Sequence, residues 1–203
     1  VIIQKVDKDG NNLWGENGKV VVNAQGRQED PQLVTDGNGG AYVIWMDYRD
    51  ESDSEGDVYA QHVNSNGNIQ WGNEGVALVD KSGQQASPNI CSDGVGGAFV
   101  IWKDNSVSSY GDIYGTHLSA NGVLVSGEGI PIITFQSYRS SPSLNTGGGG
   151  DAVMIWSDDR GEDLDLYAQR ISLNGNTIIT NWGSGGKLVC DADGDQTSPR
   201  VSQ

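Results

Sequence analysis

Carboxylates dominate the chemistry available to this chain. Asp47, Asp50, Glu51, Asp53, Glu55 and Asp57 crowd one short stretch, and Asp158, Asp159, Glu162, Asp163 and Asp165 crowd a second. Calcium takes about six to eight oxygen ligands, so Asp47, Asp53 and Asp57, or Asp158, Asp163 and Asp165, are candidate metal ligands. Neither stretch has the Asp-x-Asp-x-Asp-Gly spacing of a calcium loop, and the related segment from Asp104 to Asp112 is nearly uncharged between its ends. A solvated acidic loop is the plainer reading, and calcium is the one cofactor suggested. Asp193 and Asp195 around Gly194, and Asp7 with Asp9 before Gly10, are briefer Asp-x-Asp signals. Sister positions carry Asn where Asp9 stands, which favours a turn over a metal.

Arg49 and Arg160 each follow a Trp-x-Asp by two residues. Such a pair could hold a carboxylate or phosphate bidentately. It could equally brace a loop by pairing with Asp47 or Asp57, and with Asp158 or Asp165. Recurrence favours the brace, since a ligand site does not normally repeat with its scaffold. Trp14, Trp71 and Trp182 are candidate sugar platforms, although Ser126 stands in the same register. His62 and His117 share a register with Lys5 and Arg170, which reads as a solvated basic position, not a catalytic one. No Ser-His-Asp or Cys-His arrangement is supported, and the Gly-rich connections precede strands, so they are not phosphate cradles. Cys91 aligns with Val34 and reads as a small buried hydrophobe; a bridge to Cys190 is the lesser alternative.

These residues hang on a repeat. Gly39-Gly40-Ala41-Tyr42-Val43-Ile44-Trp45-Met46-Asp47 returns as Gly96-Gly97-Ala98-Phe99-Val100-Ile101-Trp102-Lys103-Asp104, and again as Gly150-Asp151-Ala152-Val153-Met154-Ile155-Trp156-Ser157-Asp158. The tryptophans lie 57 and 54 residues apart, a period that signals a repeat architecture. Pro31, Pro88, Pro142 and Pro199 align, as do Tyr59, Tyr114 and Tyr167, and the pairs Asp9-Gly10, Asn66-Gly67, Asn121-Gly122 and Asn174-Gly175. Each unit reads as four short strands. The first opens at its proline, and the second is apolar on both alternating faces. The third runs from Val58 to Val63 and turns through a two-residue type I′ hairpin. The fourth starts near Trp71 and resumes at Val76 to Val79, interrupted by Gly72 and Gly75.

A strand apolar on both sides is covered on both sides. Tandem four-stranded antiparallel sheets that cover one another describe an all-β fold, a β-propeller with blades of about 54–57 residues. The chain then holds a half blade (1–30), three blades (31–87, 88–141 and 142–198) and the first strand of another (199–203). Bare strand edges invite pairing, so the remainder of the same chain or another chain is expected to complete the ring. Trp45, Trp102 and Trp156 belong to the core.

The run of Pro31, Asp36-Gly37, Ala41-Tyr42-Val43-Ile44-Trp45-Met46-Asp47, Arg49, Asp57-Val58-Tyr59-Ala60-Gln61 and Asn66-Gly67 resembles repeats of large secreted bacterial surface proteins. It is also similar to the TolB-type propeller repeat, from which it departs in its tryptophans and in the Trp-Gly after the hairpin. The resemblance implies a propeller and export to the cell surface or the extracellular space; it implies no activity.

A formal charge of −15 over 203 residues repels phosphate backbones and makes nucleic acid a poor partner. No apolar run approaches the roughly 20 residues of a membrane helix. Without an initiator Met or a leader pattern, the sequence reads as an internal piece of a longer polypeptide. The expected function is a non-catalytic structural or binding module that presents acidic loops to a protein or glycan. The alternative is part of a sialidase-like glycoside hydrolase, whose Ser-x-Asp-x-Gly-x-x-Trp box is loosely imitated by Asp7-Lys8-Asp9-Gly10-Asn11-Asn12-Leu13-Trp14.

Overall fold

The computed structural model describes residues 1–49, 56–119, 128–175 and 177–202. Asp50, Glu51, Asp53, Glu55, the pair Asn121-Gly122 and Ser126 lie outside the described residues. The strands are β1 (Ile2–Ile3), β2 (Lys19–Val20), β3 (Arg27–Thr35), β4 (Ala41–Tyr48), β5 (Asp57–Val63), β6 (Val76–Val79), β7 (Gln85–Ser92), β8 (Ala98–Asp104), β9 (Asp112–Leu118), β10 (Ile130–Ile133), β11 (Arg139–Gly148), β12 (Asp151–Asp158), β13 (Asp165–Asn174), β14 (Thr177–Thr180) and β15 (Lys187–Cys190). No helix interrupts them among the described residues. β1 and β2 pair alone, and three sheets follow in the orders β3-β4-β5-β6, β7-β8-β9-β10 and β11-β12-β13-β14, with β15 also paired to β13. Each is an antiparallel meander.

The sheets stack face on face. Tyr42, Ile44 and Met46 of β4 pack with Ala98, Val100 and Trp102 of β8. From the opposite side of β8, Phe99 and Ile101 pack with Ala152, Met154 and Trp156 of β12. Ala41, Val43 and Trp45 close against Ile3, Trp14, Val21 and Val22 of the half blade. Of the three first strands, β7 lies beside both β3 and β11 on the inner side of the sheets. The architecture is therefore a β-propeller segment, and each blade buries its tryptophan face against the blade before it. Gly75, Gly129 and Gly186 sit at positive φ in the fourth-strand gap, where a Cβ would collide with the indole of Trp45, Trp102 or Trp156. The strand is broken there so that the ring can lie against bare backbone.

Leu33 is 56% exposed, whereas Ile90 and Leu144, in the same register of the next two blades, are 7% and 8% exposed. The second strand of the preceding blade covers Ile90 and Leu144, and the half blade supplies no such strand to Leu33. Val153 and Ile155, on the far face of the third blade, are likewise only partly covered.

Local structure departs from the sequence expectation in three places. The prolines do not open the first strands; Pro31 sits inside β3, at a register shift between Glu29 and Gln32, and β7 shifts in the same way between Ala86 and Asn89. The residues just before Pro31, Pro88 and Pro199 take φ of 50°, 52° and 54° at Asp30, Ser87 and Ser198. A β-bulge on an innermost edge tolerates a residue without an N–H, because no strand lies inside it. The hairpins of the half blade and the first full blade are three-residue loops, not type I′ turns, whereas in the third blade Asn174 pairs with Thr177 across a two-residue connection. Gly67 N–H donates to Asn64 O at 2.8 Å and Asn64 N–H to Asn68 O at 2.9 Å, and only the glycine of the Asn66-Gly67 pair has positive φ. The Asn64 side chain accepts from the amides of Asn66 and Asn68, which selects this longer loop. The final segment has no ladder of its own among the described residues, but Asn145 Nδ2 donates to Val201 O at 3.2 Å and ties it to β11.

The stacking makes Trp102 the largest fully buried side chain between the first and second blades. Trp102→Ala is expected to destabilise the protein by about 3–5 kcal/mol in a urea titration. A loss below about 1 kcal/mol would contradict the packing.

Candidate functional site

The loops after the second strands and the connections between blades share one face, and its charged residues form a recurring device. In the first full blade Trp45 Nε1 donates to Asp47 Oδ2 at 2.7 Å; Arg49 donates from Nη2 to the same oxygen at 2.6 Å and from Nε to Oδ1 at 3.0 Å. The Arg49 guanidinium also lies 3.9 Å from the Tyr59 ring centroid. The third blade repeats this: Trp156 reaches Asp158 at 2.9 Å, Arg160 reaches Asp158 at 2.6 Å, and Arg160 stands 3.8 Å above Tyr167. Arg49 and Arg160 are thus braces, as repetition suggested, and a ligand would have to displace a buried carboxylate to reach them. The second blade has Ser106 where the arginine would be. There Lys81, from the preceding connection, supplies the cation, 3.0 Å from Asp104 and 4.6 Å above Tyr114.

Burial by itself would raise the pKa of Asp158, but hydrogen bonds from Arg160 and Trp156 outweigh it and hold it below the ordinary 3.8. Asp104 is lowered in the same way, with Ser106 and Lys81 overcoming desolvation. Asp112 goes the other way: burial raises its pKa despite the neighbouring Arg139.

Arg139 is the residue the sequence reading missed. It occupies the register of Gln28, Gln85 and Gln196, and that lone break in a glutamine column is the signal that could have found it. Its side chain is fully buried between the second and third blades, 3.0 Å from Asp112 and 3.5 Å from Asp158. Its Nη2 also donates to Phe135 O, and its amide donates to Tyr110 O at 3.1 Å. Arg139 therefore ties the loop after β8 to the connection after β10. Between them lies a cavity of 380 Å³ lined by Ser108, Tyr110, Asp112, Thr134, Phe135 and Gln136 among others. Val107 at its lip is 80% exposed, and Tyr110, Phe135 and neighbouring Tyr138 are 44%, 43% and 44% exposed.

The remaining sequence candidates scatter. Asp163 accepts from Gly194 N–H at 3.0 Å, and Asp195 accepts from Leu164 N–H at 3.1 Å, so these acids stitch the loop after β12 to the last connection. Asp57 and Asp165 lie opposite Asp47 and Asp158 in their ladders. Asp53 lies outside the described residues. Among the described residues no three His, Cys, Asp or Glu side chains converge on a metal position. Asp7 folds onto the amides of Asp9 and Asn11, as a turn residue does.

Trp14 is no platform: it is 6% exposed, and its Nε1 donates to Ser65 O at 3.2 Å. Trp71 is partly buried against Tyr42, with ring centroids 5.9 Å apart, and Trp182 is half-buried with Lys187 5.9 Å above it. The amides of all three tryptophans donate to the side chains of Gln4, Gln61 and Gln169, which also span the fourth-strand gap to Gly15, Gly72 and Gly183. The Trp-Gly after the hairpin is part of that splice.

The histidines are not a solvated basic register. His117 is buried, His62 nearly so, and each lies 2.9 Å from an aspartate, Asp93 and Asp36 respectively. Those aspartates close the turns between first and second strands through amides of Gly97 and Gly40. Both cysteines are free, and burial pushes the Cys91 thiol up to about 12. A second cavity, of 540 Å³, lies at the hub among residues that flank the four prolines, with Asp30, Gln32, Asn89, Ser143 and Arg200 on its walls.

Neither a protein-family model nor a curated protein matches the sequence. Among solved structures the chain is similar to an endo-arabinase from Bacteroides thetaiotaomicron VPI-5482, with 12% identity and a TM-score of 0.49, over 83% of this chain. The chain spans 64% of that enzyme's length.

Three outcomes follow from these buried carboxylates. Asp36, Asp104 and Asp158 all have lowered pKa values in the fold; such groups stabilise above their unfolded pKa, and the benefit is lost as pH falls through the folded value. Stability should therefore drop below about pH 4. Asp158→Asn, which leaves Arg160 and Arg139 short of a carboxylate, should cost about 3–5 kcal/mol at pH 7, with the gap to wild type narrowing in urea titrations towards acid. A gap independent of pH would refute the assignment. Because Asp47 and Asp158 are already matched by arginine, calcium or EDTA should leave Tm unchanged. A rise with calcium of more than about 2 °C, near 1 kcal/mol for a domain of this length, would contradict this.

Proposed function

We propose that this chain is a non-catalytic structural and binding module of an exported bacterial surface or secreted protein, and that it meets its partner with the loop face between its second and third blades. One observation carries the reading. The charged groups that recur on that face, Arg49, Asp47, Lys81, Asp104, Arg160 and Asp158, are engaged with one another inside the blades. The exposed Val107, Tyr110, Phe135 and Tyr138 cluster where the repeat is broken. Apolar and aromatic surface gathered beside a cavity marks an interaction site, whereas single exposed residues do not. The uncovered Leu33 supports a ring completed by further blades, from the same chain or another.

A glycoside hydrolase has one observation in its favour, the carboxyl of Asp112 held towards its acid form by burial in a cavity wall. Such an enzyme needs a second carboxylate about 5–9.5 Å away across the substrate, and the cavity lining contributes Asp112 alone among the described residues.

Arrays of glycans and of purified extracellular proteins, probed with the protein and with a Tyr110→Ala/Phe135→Ala variant of unchanged Tm, test the reading together with a panel of fluorogenic pentosides and hexosides. Binding lost in the variant and no turnover are expected. Turnover abolished by Asp112→Asn would replace the binding module with an enzyme.

A further inference from the structure

We infer that the notch between the second and third blades is a subsite for a neutral glycan, a proposal that rests on the binding reading above. Its volume of 380 Å³ falls within the range of small-molecule sites, about 300–1,000 Å³. Its composition suits a sugar. A pyranose or furanose ring offers an apolar C–H face and a rim of hydroxyls; it wants an aromatic plane beneath and mixed donors and acceptors beside. Tyr110, from the loop after β8, and Phe135, from the connection after β10, both line the cavity and are nearly half exposed, Phe135 with the Arg160 guanidinium 4.9 Å from its ring centroid. Ser108, Thr134 and Gln136 offer side chains that both donate and accept, and Asp112 offers an acceptor on the wall. Aromatic residues with a polar tip are suited to such half-wet positions.

Charge selects among glycans. The arginines near the notch are paired, Arg139 with Asp112 and Asp158 and Arg160 with Asp158, and Lys103 lies 4.4 Å over the Tyr138 ring. An anionic sugar would enter a chain of net charge −15 and find both arginines beside the notch already paired with carboxylates. The site is also held in shape. Arg139 reaches one wall through Asp112 and the Tyr110 carbonyl, and the other through the Phe135 carbonyl, so a ligand meets walls already fixed in position.

Isothermal titration with neutral oligosaccharides (xylohexaose, mannohexaose and cellohexaose) and with acidic ones (oligogalacturonate and sialyllactose) tests this. At least one neutral oligosaccharide should bind, with affinity reduced tenfold or more by Tyr110→Ala and by Phe135→Ala. Acidic sugars should bind at least tenfold more weakly. Asp112→Asn removes the carboxyl on the cavity wall; because it could disturb Arg139, it is paired with Gln136→Ala, which touches no part of the brace and should also weaken binding. Tighter binding of the acidic sugars overturns the neutral assignment. No sugar binding at all, with the Tyr110→Ala/Phe135→Ala variant still losing an array protein, overturns the glycan and leaves the binding module standing. Loss of neither on the arrays removes both.

Discussion

A buried carboxylate shared by an indole and a cation is the interaction on which this structure rests. In each full blade the tryptophan that seals the sheet against its neighbour would bury its N–H without a partner. An aspartate two residues later supplies the acceptor, at 2.7, 3.4 and 2.9 Å in the three blades. A carboxylate drawn that far from water is costly unless it is matched in turn. Arg49, Lys81 and Arg160 match it, and each then covers the tyrosine of the third strand. One requirement begets the next: apolar burial forces the hydrogen bond, the hydrogen bond brings in a charge, and the charge brings in a cation that also shields the rim of the core. The glycine in the fourth strand belongs to the same chain of needs, since only bare backbone admits the indole so closely.

Much of this was legible in the sequence because it repeats. The spacing of Trp45, Trp102 and Trp156 and the doubly apolar second strands were enough for the propeller and for the core role of the tryptophans. The reading of Arg49 and Arg160 as braces followed from their recurrence alone. Alignment failed where one role passes between elements. Ser106 stands where the second blade should carry its arginine, and nothing in a column of residues says that Lys81, from a different strand connection, reaches the same carboxylate. It failed also where exposure was inferred from mixed chemistry. A register holding Lys5, His62, His117 and Arg170 looks solvated, yet the two histidines turn inward because Asp36 and Asp93 lie beneath them, while Arg170 pairs instead with Asp151. Trp14 misled for a related reason: position after a hairpin says nothing about what the neighbouring blade lays over the ring.

Departures from the repeat have a physical unity that the repeat itself conceals. The second blade lacks the arginine at Ser106, has Thr116 in place of the splicing glutamine, and is followed by Arg139 in place of a glutamine. Two of these, Ser106 and Arg139, fall along the loop face where the second and third blades meet. Removing the arginine from the loop after β8 frees that loop from the stereotyped brace, and Lys81 keeps Asp104 matched from below. Placing Arg139 at the next blade's entrance introduces a buried cation that must find carboxylates, and it finds Asp158 of its own sheet and Asp112 of the sheet before. The loop and the connection are thereby held apart on a shared ionic post, with aromatic side chains left on the outside. A change that only served packing would have closed this gap, because an ion pair buried between sheets is a poor substitute for hydrocarbon of the same volume. The asymmetry props a cavity open, and it does so with groups whose removal would be felt in the fold. That combination of a costly support and an unfilled space is what separates the notch from the rest of the loop face.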